Sequence, residues 1–302
     1  MSKYEQYAKQ LPITGRNGNV KLGAVMDGEW FGWDCLSVRY GLVDGPGMIP
    51  EETDKMHTHD YDQMIMFISS DADHMLDLGA ELEIDLGPTG IVHKIATPHV
   101  ITIPKGTPHF SPVVKSVTKP FYFVAVSGTA AFKADVFDES AVPGEGPLSK
   151  FFGEFMRNVK VLGCTSTDPY HYGSEHAQPT GGVSHHVGPS TLGMEFTMSW
   201  STIRLPNEFG PWKDDGLHHA HAHQNYEETL MFFSLDQDNL TDLHGVADIC
   251  IGEEGVDQEH VLLTKATATI MHKGVWHLPL VFKEVDYNTP MVFITLSRSS
   301  GF

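Results

Sequence analysis

The chain contains two copies of one sequence unit, and this internal repeat limits the possible folds more than any other feature. Residues 63–87 read QMIMFISSDADHMLDLGAELEIDLG, and residues 228–252 read ETLMFFSLDQDNLTDLHGVADICIG. The two segments align without a gap at an offset of 165. Two later pairs of segments also match, 100–110 with 268–278 and 119–127 with 289–297. We therefore expect two domains of the same fold.

The boundary between the two copies is predicted at the turn-forming segment PGEGP, residues 143–147. This places the domains at residues 1–147 and 148–302. Each domain is long enough to bury a core of its own, because 41% of the 302 residues are hydrophobic.

The residue pattern within each copy is typical of strands. Leu82, Ile84 and Leu86 alternate with acidic residues, as in a strand with one face buried and one in water. Short apolar runs end at clusters of turn-forming residues, and the chain has 29 Gly and 18 Pro. This pattern predicts an all-β sandwich or barrel with a few short helices, at residues 2–9 and 148–161.

The composition excludes some partners. A net charge of −19 disfavours binding to nucleic acid or to an anionic membrane surface. No stretch approaches 18 consecutive apolar residues, so we expect no membrane-spanning helix. The three cysteines are odd in number and far apart, which favours a reducing compartment over a disulfide framework. We expect a cytoplasmic homodimer, because exposed edge strands and aromatic residues favour self-association.

Each copy has two histidines one residue apart, and a Gln or Glu follows four or five residues later. In a strand the two histidines point to the same face and can both aim into one barrel. A third histidine follows a lysine-glycine turn later in each copy. Nitrogen and oxygen atoms that converge in this way suit a divalent transition metal. The expected ligands are His57, His59, Gln63 and His109 in the first copy and His221, His223, Glu228 and His277 in the second.

These residues resemble the two conserved motifs of the cupin superfamily, present twice as in bicupins. The motifs read HTHDYDQ at 57–63 and PKGTPH at 104–109, and HAHQNYEE at 221–228 and HKGVWH at 272–277. The resemblance implies two tandem antiparallel β-barrels of jelly-roll type. It also implies one divalent transition metal per domain, bound by three histidines and one Glu or Gln.

Glu227 and Glu228 are alternatives for the oxygen ligand of the second copy. The ungapped alignment pairs Glu228 with Gln63 and places it on the strand face of Leu230 and Phe232, so Glu228 is preferred. Neutral Gln63 leaves the full metal charge in the first site, whereas Glu228 reduces it in the second. We expect Fe or Mn in the second site, with Ni, Co or Zn as other candidates.

Further residues are candidates for the substrate site. Arg39 and Arg204 lie in similar positions of the strands that lead to each metal site, where an inward arginine can clamp a substrate carboxylate. Structural ion pairs are the alternative role for both. The repeated aspartates at 71–77 and 236–242 are expected to form turns in which their side chains cap backbone amides. Candidates for proton transfer are His218, His219, His272 and Tyr226.

Three functional hypotheses follow, all with a small-molecule ligand. The leading one is an oxidoreductase, a non-haem Fe(II) or Mn(II) dioxygenase that acts on a small enediol, diketone or aromatic diol. It depends on the second ligand set and on the frequency of this activity among cupins. The alternative is a redox-neutral, metal-dependent isomerase, lyase or decarboxylase. The third is a small-molecule binding bicupin without enzymatic activity.

Overall fold

The computed structural model describes residues 3–33, 36–51, 53–87, 92–137, 160–163, 184–209, 220–254 and 258–298. The regular secondary structure of the described residues is almost entirely strand, as the sequence predicts. These residues separate into two compact units, here called the first and second barrels. None of the helices in these ranges is long and apolar enough to cross a bilayer.

The chain begins with a 3-10 turn at Glu5–Tyr7 and strand β1 at Ala8–Gln10, both of which belong to the second barrel. The first barrel contains the short helix α1 at Gly28–Phe31 and strands β2 to β13. These strands are β2 Val20–Met26, β3 Ser37–Val43, β4 Gly47–Met48, β5 His57–Thr58, β6 Gln63–Ser69, β7 Ala80–Asp85, β8 Val92–Ile95, β9 His99–Ile103, β10 Val113–Val117, β11 Phe121–Ser127, β12 Asp135–Val136 and β13 Lys160–Gly163.

A second short helix, α2, lies at Pro189–Leu192. The second barrel contains the remaining strands. Its strands are β14 Ser184–Val187, β15 Thr197–Ile203, β16 Asn207–Phe209, β17 Glu228–Ser234, β18 Asp242–Gly252, β19 Glu259–Lys265, β20 Thr267–Met271, β21 Trp276–Val285 and β22 Met291–Ser297.

Each barrel is built from a six-stranded and a four-stranded antiparallel sheet. In the first barrel the six strands follow the order β13, β9, β6, β11, β3, β2, and the four follow β4, β10, β7, β8. In the second barrel the corresponding orders are β1, β20, β17, β22, β15, β14 and β16, β21, β18, β19. The two orders match strand for strand, so the sequence repeat is also a repeat of topology.

The core of each barrel lies between its two sheets. In the first barrel Ile65 of β6 and Phe123 of β11 pack in one cluster with Leu82 and Ile84 of β7. Glu81, between the core-facing positions of β7, is exposed, which confirms the alternation expected for this strand. Burial of each such apolar side chain contributes about 1.5–3 kcal/mol. The second barrel has a core of the same kind.

Two end segments lie in the barrel of the opposite copy. The predicted helix at residues 2–9 is wrong, because β1 pairs with β20, with Ala8 opposite Thr269. Tyr4 packs into the core of the second barrel and holds this segment there. As an edge strand beside β20, this segment pairs its backbone N–H and C=O groups with a neighbouring strand. An isolated helix this short would be unstable in water.

Near the start of the predicted second copy, β13 pairs with β9 of the first barrel, with Lys160 opposite Thr102. The helix predicted at 148–161 is therefore wrong at residues 160 and 161, which are strand. The rest of that helix and the boundary after residue 147 lie outside the described residues. The division into 1–147 and 148–302 stays a prediction, to which β1 and β13 are the described exceptions.

The repeated aspartates form turns, as expected. The carboxylate of Asp71 accepts a hydrogen bond from the amide of Asp73 at 3.0 Å, and that of Asp77 accepts one from Gly79 at 3.0 Å. The second barrel repeats this contact, since Asp236 accepts from the amide of Asp238 at 2.8 Å. These side chains fix the turns between the two sheets and do not reach the histidine sets.

Two candidate metal sites

The first set of ligands gathers where three segments of the first barrel meet. The ring nitrogens of His57, His59 and His109 lie within 4.8 Å of one another, and Gln63 begins β6 beside them. His57 and His109 exchange backbone hydrogen bonds of 2.9 Å in both directions, which places their side chains side by side. All four side chains are buried.

The ring orientation of these histidines is set by backbone carbonyls. Nδ1 of His57, His59 and His109 lies 2.9, 2.7 and 2.9 Å from the carbonyl oxygens of Lys55, Lys133 and Thr107 respectively. A bond from Nδ1–H to a carbonyl leaves Nε2 as the lone-pair nitrogen, the arrangement usual for metal-binding histidines.

Three buried polar atoms of the first set have no hydrogen-bond partner among the described residues. They are Nε2 of His57, Nε2 of His109 and Oε1 of Gln63. Buried polar atoms are nearly always satisfied, because desolvation without a partner costs about 1–3 kcal/mol each. A metal ion bound by all three would satisfy them together, so the residues fit this group.

The second set repeats the first with a carboxylate in place of the amide. His221, His223, Glu228 and His277 present ligand atoms within 4.8 Å of one another. Oε2 of Glu228 lies 3.0 Å from Nε2 of His277 and 3.4 Å from Nε2 of His223. Glu228 is 1% exposed and begins β17, as Gln63 begins β6. Of the two candidate glutamates, the structure brings Glu228 into this set.

The protonation states of two ligands favour metal binding. Burial alone would raise the pKa of Glu228, but hydrogen bonds from His223 and His277 outweigh it and hold that pKa well below its usual range. Burial, and then the charges of His57 and His59, lower the pKa of His109 well below its usual value. An ionised carboxylate and a neutral imidazole are the forms that coordinate a cation.

A glycine turn supports one histidine in each barrel. The amide of Gly106 donates to the carbonyl of His59 at 2.7 Å, and that of Gly274 donates to His223 at 2.8 Å. Both glycines have positive φ, 78° and 81°, a conformation that other residues rarely adopt. The lysine-glycine turns predicted to place the third histidine therefore also hold the backbone of the second.

A tyrosine stacks on the second histidine of each set. Tyr226 lies against His223 with ring centroids 4.4 Å apart, and Tyr61 lies against His59 at 4.7 Å. Burial, and then the charge of Glu228, raise the pKa of Tyr226 to about 12, so its phenol stays protonated at neutral pH. Tyr61 was missed from the sequence, although its place between His59 and Gln63 repeats that of Tyr226.

His272, another candidate for proton transfer, is not part of the second ligand set. His272 follows the last residue of β20, and its ring lies against Tyr7 with centroids 6.1 Å apart. His218 and His219 lie outside the described residues.

Arg39 lies on the inner face of the first barrel. The registers place Arg39 opposite Ala125 of β11, and Ala125 opposite Ile65 of β6. Opposite residues on neighbouring antiparallel strands share a face, so Arg39 lies on the core-facing side. Its guanidinium lies 4.5 Å from the ring centroid of Phe132 and donates a long hydrogen bond of 3.5 Å to the carbonyl of Pro50.

The prediction that Arg39 and Arg204 occupy similar positions is wrong. In the first barrel, Ser37 lies in register with Gln63 across β11. In the second barrel, Thr197 lies in register with Glu228 across β22. The strands therefore match at an offset of 160, which is 197 minus 37, and Ser199 takes the position of Arg39.

Arg204 instead follows the far end of β15. It lies seven residues beyond Thr197, roughly 23 Å along an extended strand, and its guanidinium is 5.0 Å from the ring centroid of Tyr287. The repeat alignment paired Arg39 with Arg204 at an offset of 165, whereas the strands match at 160. Because side chains alternate along a strand, this difference of five residues also places the two arginines on opposite faces. The repeat alignment failed here because the spacing between the first strands and the histidines differs between the two copies.

The first barrel has a cavity of about 170 Å³. None of its lining residues is an expected metal ligand, and Glu51 is the lining residue that approaches the ligand set. Its walls include Arg39, Tyr40, Glu51 and Phe123. The side chain of Glu51 is fully buried, and its Oε2 lies 4.0 Å from Nε2 of His57. Glu51 was missed from the sequence because it belongs to the irregular segment between β4 and β5, where no periodicity marks it.

Comparisons with known proteins support the fold alone. No family model matches the sequence, and no curated protein matches it by sequence. Among solved structures, a Lactobacillus farciminis oxalate decarboxylase in complex with formate matches with a TM-score of 0.59 and 10% identity, over 100% of this chain and 88% of that one. A Bacillus subtilis oxalate decarboxylase, described for its Mn(II) centres, matches with a TM-score of 0.58 and 11% identity, over 98% of this chain and 78% of that one.

The likeness extends over both barrels and agrees with the paired sheets and the two histidine sets described above. At 10% and 11% identity, this likeness shows that the chain has the fold of these structures, with two tandem antiparallel barrels as expected from the sequence.

Proposed function

We propose that this chain is a metal-dependent lyase that removes carbon dioxide from a small carboxylic acid. The main support is the combination, in the first barrel, of a buried ligand set, an inward arginine and a cavity lined by Arg39 and by Glu51, which lies 4.0 Å from His57. The two structural neighbours, both named as oxalate decarboxylases, favour this redox-neutral reaction class over the dioxygenase hypothesis.

A divalent metal in the first barrel would be held by His57, His59, His109 and Gln63, and the second barrel offers its own four donors. We favour Mn(II), because sets of imidazole and carboxylate or carbonyl donors accept it and one neighbour is described by its Mn(II) centres. When bound, the metal supplies a Lewis acid that polarises an oxygen of the substrate.

The cavity indicates the size and charge of the substrate. Its volume of about 170 Å³ is well below the 300–1,000 Å³ typical of drug-sized ligands, so it suits an acid of a few heavy atoms. Arg39 lines it and can hold a carboxylate by two parallel hydrogen bonds.

The surroundings of Arg39 favour loss of carbon dioxide. In the reaction the bond between the carboxyl carbon and its neighbour breaks, and the electron pair stays on the neighbouring carbon, which then takes a proton. Phe123 lines the cavity, and Ala125 lies opposite Arg39 on the inner face. An apolar wall excludes water and strengthens electrostatic contacts with the bound acid.

The test is to incubate Mn(II)-loaded, full-length protein with a panel of small mono- and dicarboxylic acids and to measure carbon dioxide release and O2 uptake together. We expect carbon dioxide release without matching O2 consumption.

Arg39→Lys should raise KM about tenfold, because lysine cannot make two parallel hydrogen bonds to a carboxylate. The control is Arg16→Lys, which alters an exposed ion pair with Asp44. Stoichiometric O2 uptake with an enediol, a diketone or a diol would support the dioxygenase instead.

The homodimer and the cytoplasmic location expected from the sequence stay predictions. So does the absence of nucleic-acid and membrane partners.

A further inference from the structure

The two ligand sets differ by one unit of charge. Neutral imidazoles and the amide of Gln63 bring no negative charge to the first set, whereas Glu228 brings one to the second. The first set is nevertheless the more deeply buried, since His57 and His109 are 0% exposed while His223 is partly exposed. A dication in a buried site without a nearby anion is unfavourable, because it loses hydration without compensation.

Glu51 lies where it can supply the missing charge. Its side chain is 0% exposed, and its Oε2 is 4.0 Å from Nε2 of His57, the nitrogen that faces the other ligands. This contact brings a carboxylate oxygen to the edge of the first set.

The backbone around Glu51 is fixed against the segment that follows His109. The amide of Ile49 donates to the carbonyl of Pro112 at 2.9 Å, and the hydroxyl of Ser111 donates to the carbonyl of Thr53 at 3.3 Å. These two bonds lie on either side of Glu51 and hold its loop beside the ligand strand. The position of the carboxylate is therefore built into the barrel.

We propose that the carboxylate of Glu51 provides the negative charge of the first metal site, which Gln63 does not provide. The two barrels then have equal charge around their metals. The ligand Glu228 supplies the negative charge in the second barrel, and Glu51, from a separate loop, supplies it in the first. Glu51 also lines the cavity, so the same side chain contacts both the cavity and the ligand set. The inference rests on metal binding in the first barrel and not on the reaction proposed above.

The test measures Mn(II) affinity by electron paramagnetic resonance in the full-length chain with His223→Ala, so that the first barrel alone binds. We expect Glu51→Gln to weaken binding by about 10–100-fold, the range seen when a residue close to the ligands is removed. Adding Gln63→Glu should restore most of the affinity, because the charge returns on the other side of the set. Glu81→Gln, an exposed position on β7, is the control and should change nothing.

A purely structural role for Glu51 predicts a different result. In that case Glu51→Gln lowers the unfolding temperature without changing Mn(II) affinity, or Gln63→Glu fails to restore the affinity, and either outcome overturns the proposal. If Glu51→Gln does not fold, Glu51→Asp replaces it, with weaker Mn(II) binding expected and unchanged binding as the contrary result. If the parent chain with intact Glu51 binds no Mn(II), metal binding in the first barrel fails, and the proposed function with it.

Discussion

Each ligand histidine of the first barrel divides its two ring nitrogens between two partners. Nδ1 meets a backbone carbonyl, and Nε2 faces the other ligands. His277 repeats this arrangement in the second barrel, with Nδ1 3.0 Å from the carbonyl of Val275. The backbone thus fixes both the tautomer and the ring orientation before any metal binds, which lowers the cost of binding.

The choice between the two neighbouring glutamates can be tested by one pair of variants. Glu228→Gln should weaken metal binding in the second barrel by about tenfold or more, because it removes the set's only ionised ligand. Glu227→Gln is the matched control and should leave the affinity unchanged. Isothermal titration with Mn(II) measures both, and equal losses in the two variants would show that Glu228 is not the ligand.

Single residues also mark the limit of what the sequence predicts. The eight expected ligands were predicted because the same four positions occur in both copies, and the structure gathers these residues into two sets. Glu51 had no such signal, since its loop has no regular spacing. The repeat pattern gave a wrong position for Arg204, because the alignment of the two copies at the histidines does not apply to β15.

At the level of elements, the glycine turn before His109 couples backbone conformation to the metal site. Gly106 has a φ of 78°, and a Cβ added there meets nothing within 4 Å, so Gly106→Ala introduces backbone strain without a clash. We expect a loss of about 1 kcal/mol in unfolding free energy, and weaker metal binding because the turn holds His59.

Gly15 offers the matched control for this turn. It also has open space around its Cα, and its φ is not in the positive range. Gly15→Ala should therefore be nearly neutral in urea unfolding. An equal effect of the two substitutions would contradict the role given to the turn.

The aspartate turn of the first barrel should make stability depend on pH. Burial acts to raise the pKa of Asp71, but hydrogen bonds from Lys119 and then His74 outweigh it and lower the pKa to about 2. A lowered pKa in the folded state means that the carboxylate stabilises the fold above its ordinary value of 3.8 and loses this contribution as the pH falls towards 2.

We therefore expect Asp71→Asn to lower the unfolding free energy by about 1 kcal/mol at pH 7 and by much less near pH 2. Thermal unfolding of metal-free protein at both pH values measures this difference. The exposed Asp60→Asn should show no such dependence. A penalty for Asp71→Asn that stays constant with pH would contradict the ion pair.

The element order was predictable only in part. Strands with clear alternation, such as β7, were found because one face packs on the core. Residues 8–9 of β1 and 160–161 of β13 were predicted as helix, and they are strand because edge strands of the barrels offer them backbone partners. Those partners are more than 50 residues away in the sequence, so no local pattern could reveal them.

At the level of the whole molecule, a repeated sequence has produced two barrels with one topology and two ligand sets of different charge. The repeat made the fold predictable, since each copy confirmed the other. The proposed reaction was less predictable, because the cavity that supports it is lined by Arg39 and Glu51, which the second copy does not repeat in sequence. The proposal therefore depends more on the differences between the copies than on their likeness.

The most direct test of the two metal sites is the number of metal ions bound per chain. Full-length protein saturated with Mn(II) and freed of excess metal should contain two ions per chain by elemental analysis. His59→Ala and His223→Ala should each leave one ion, and the double variant none. A wild-type chain without bound metal, or a double variant that still holds two ions, would contradict the account.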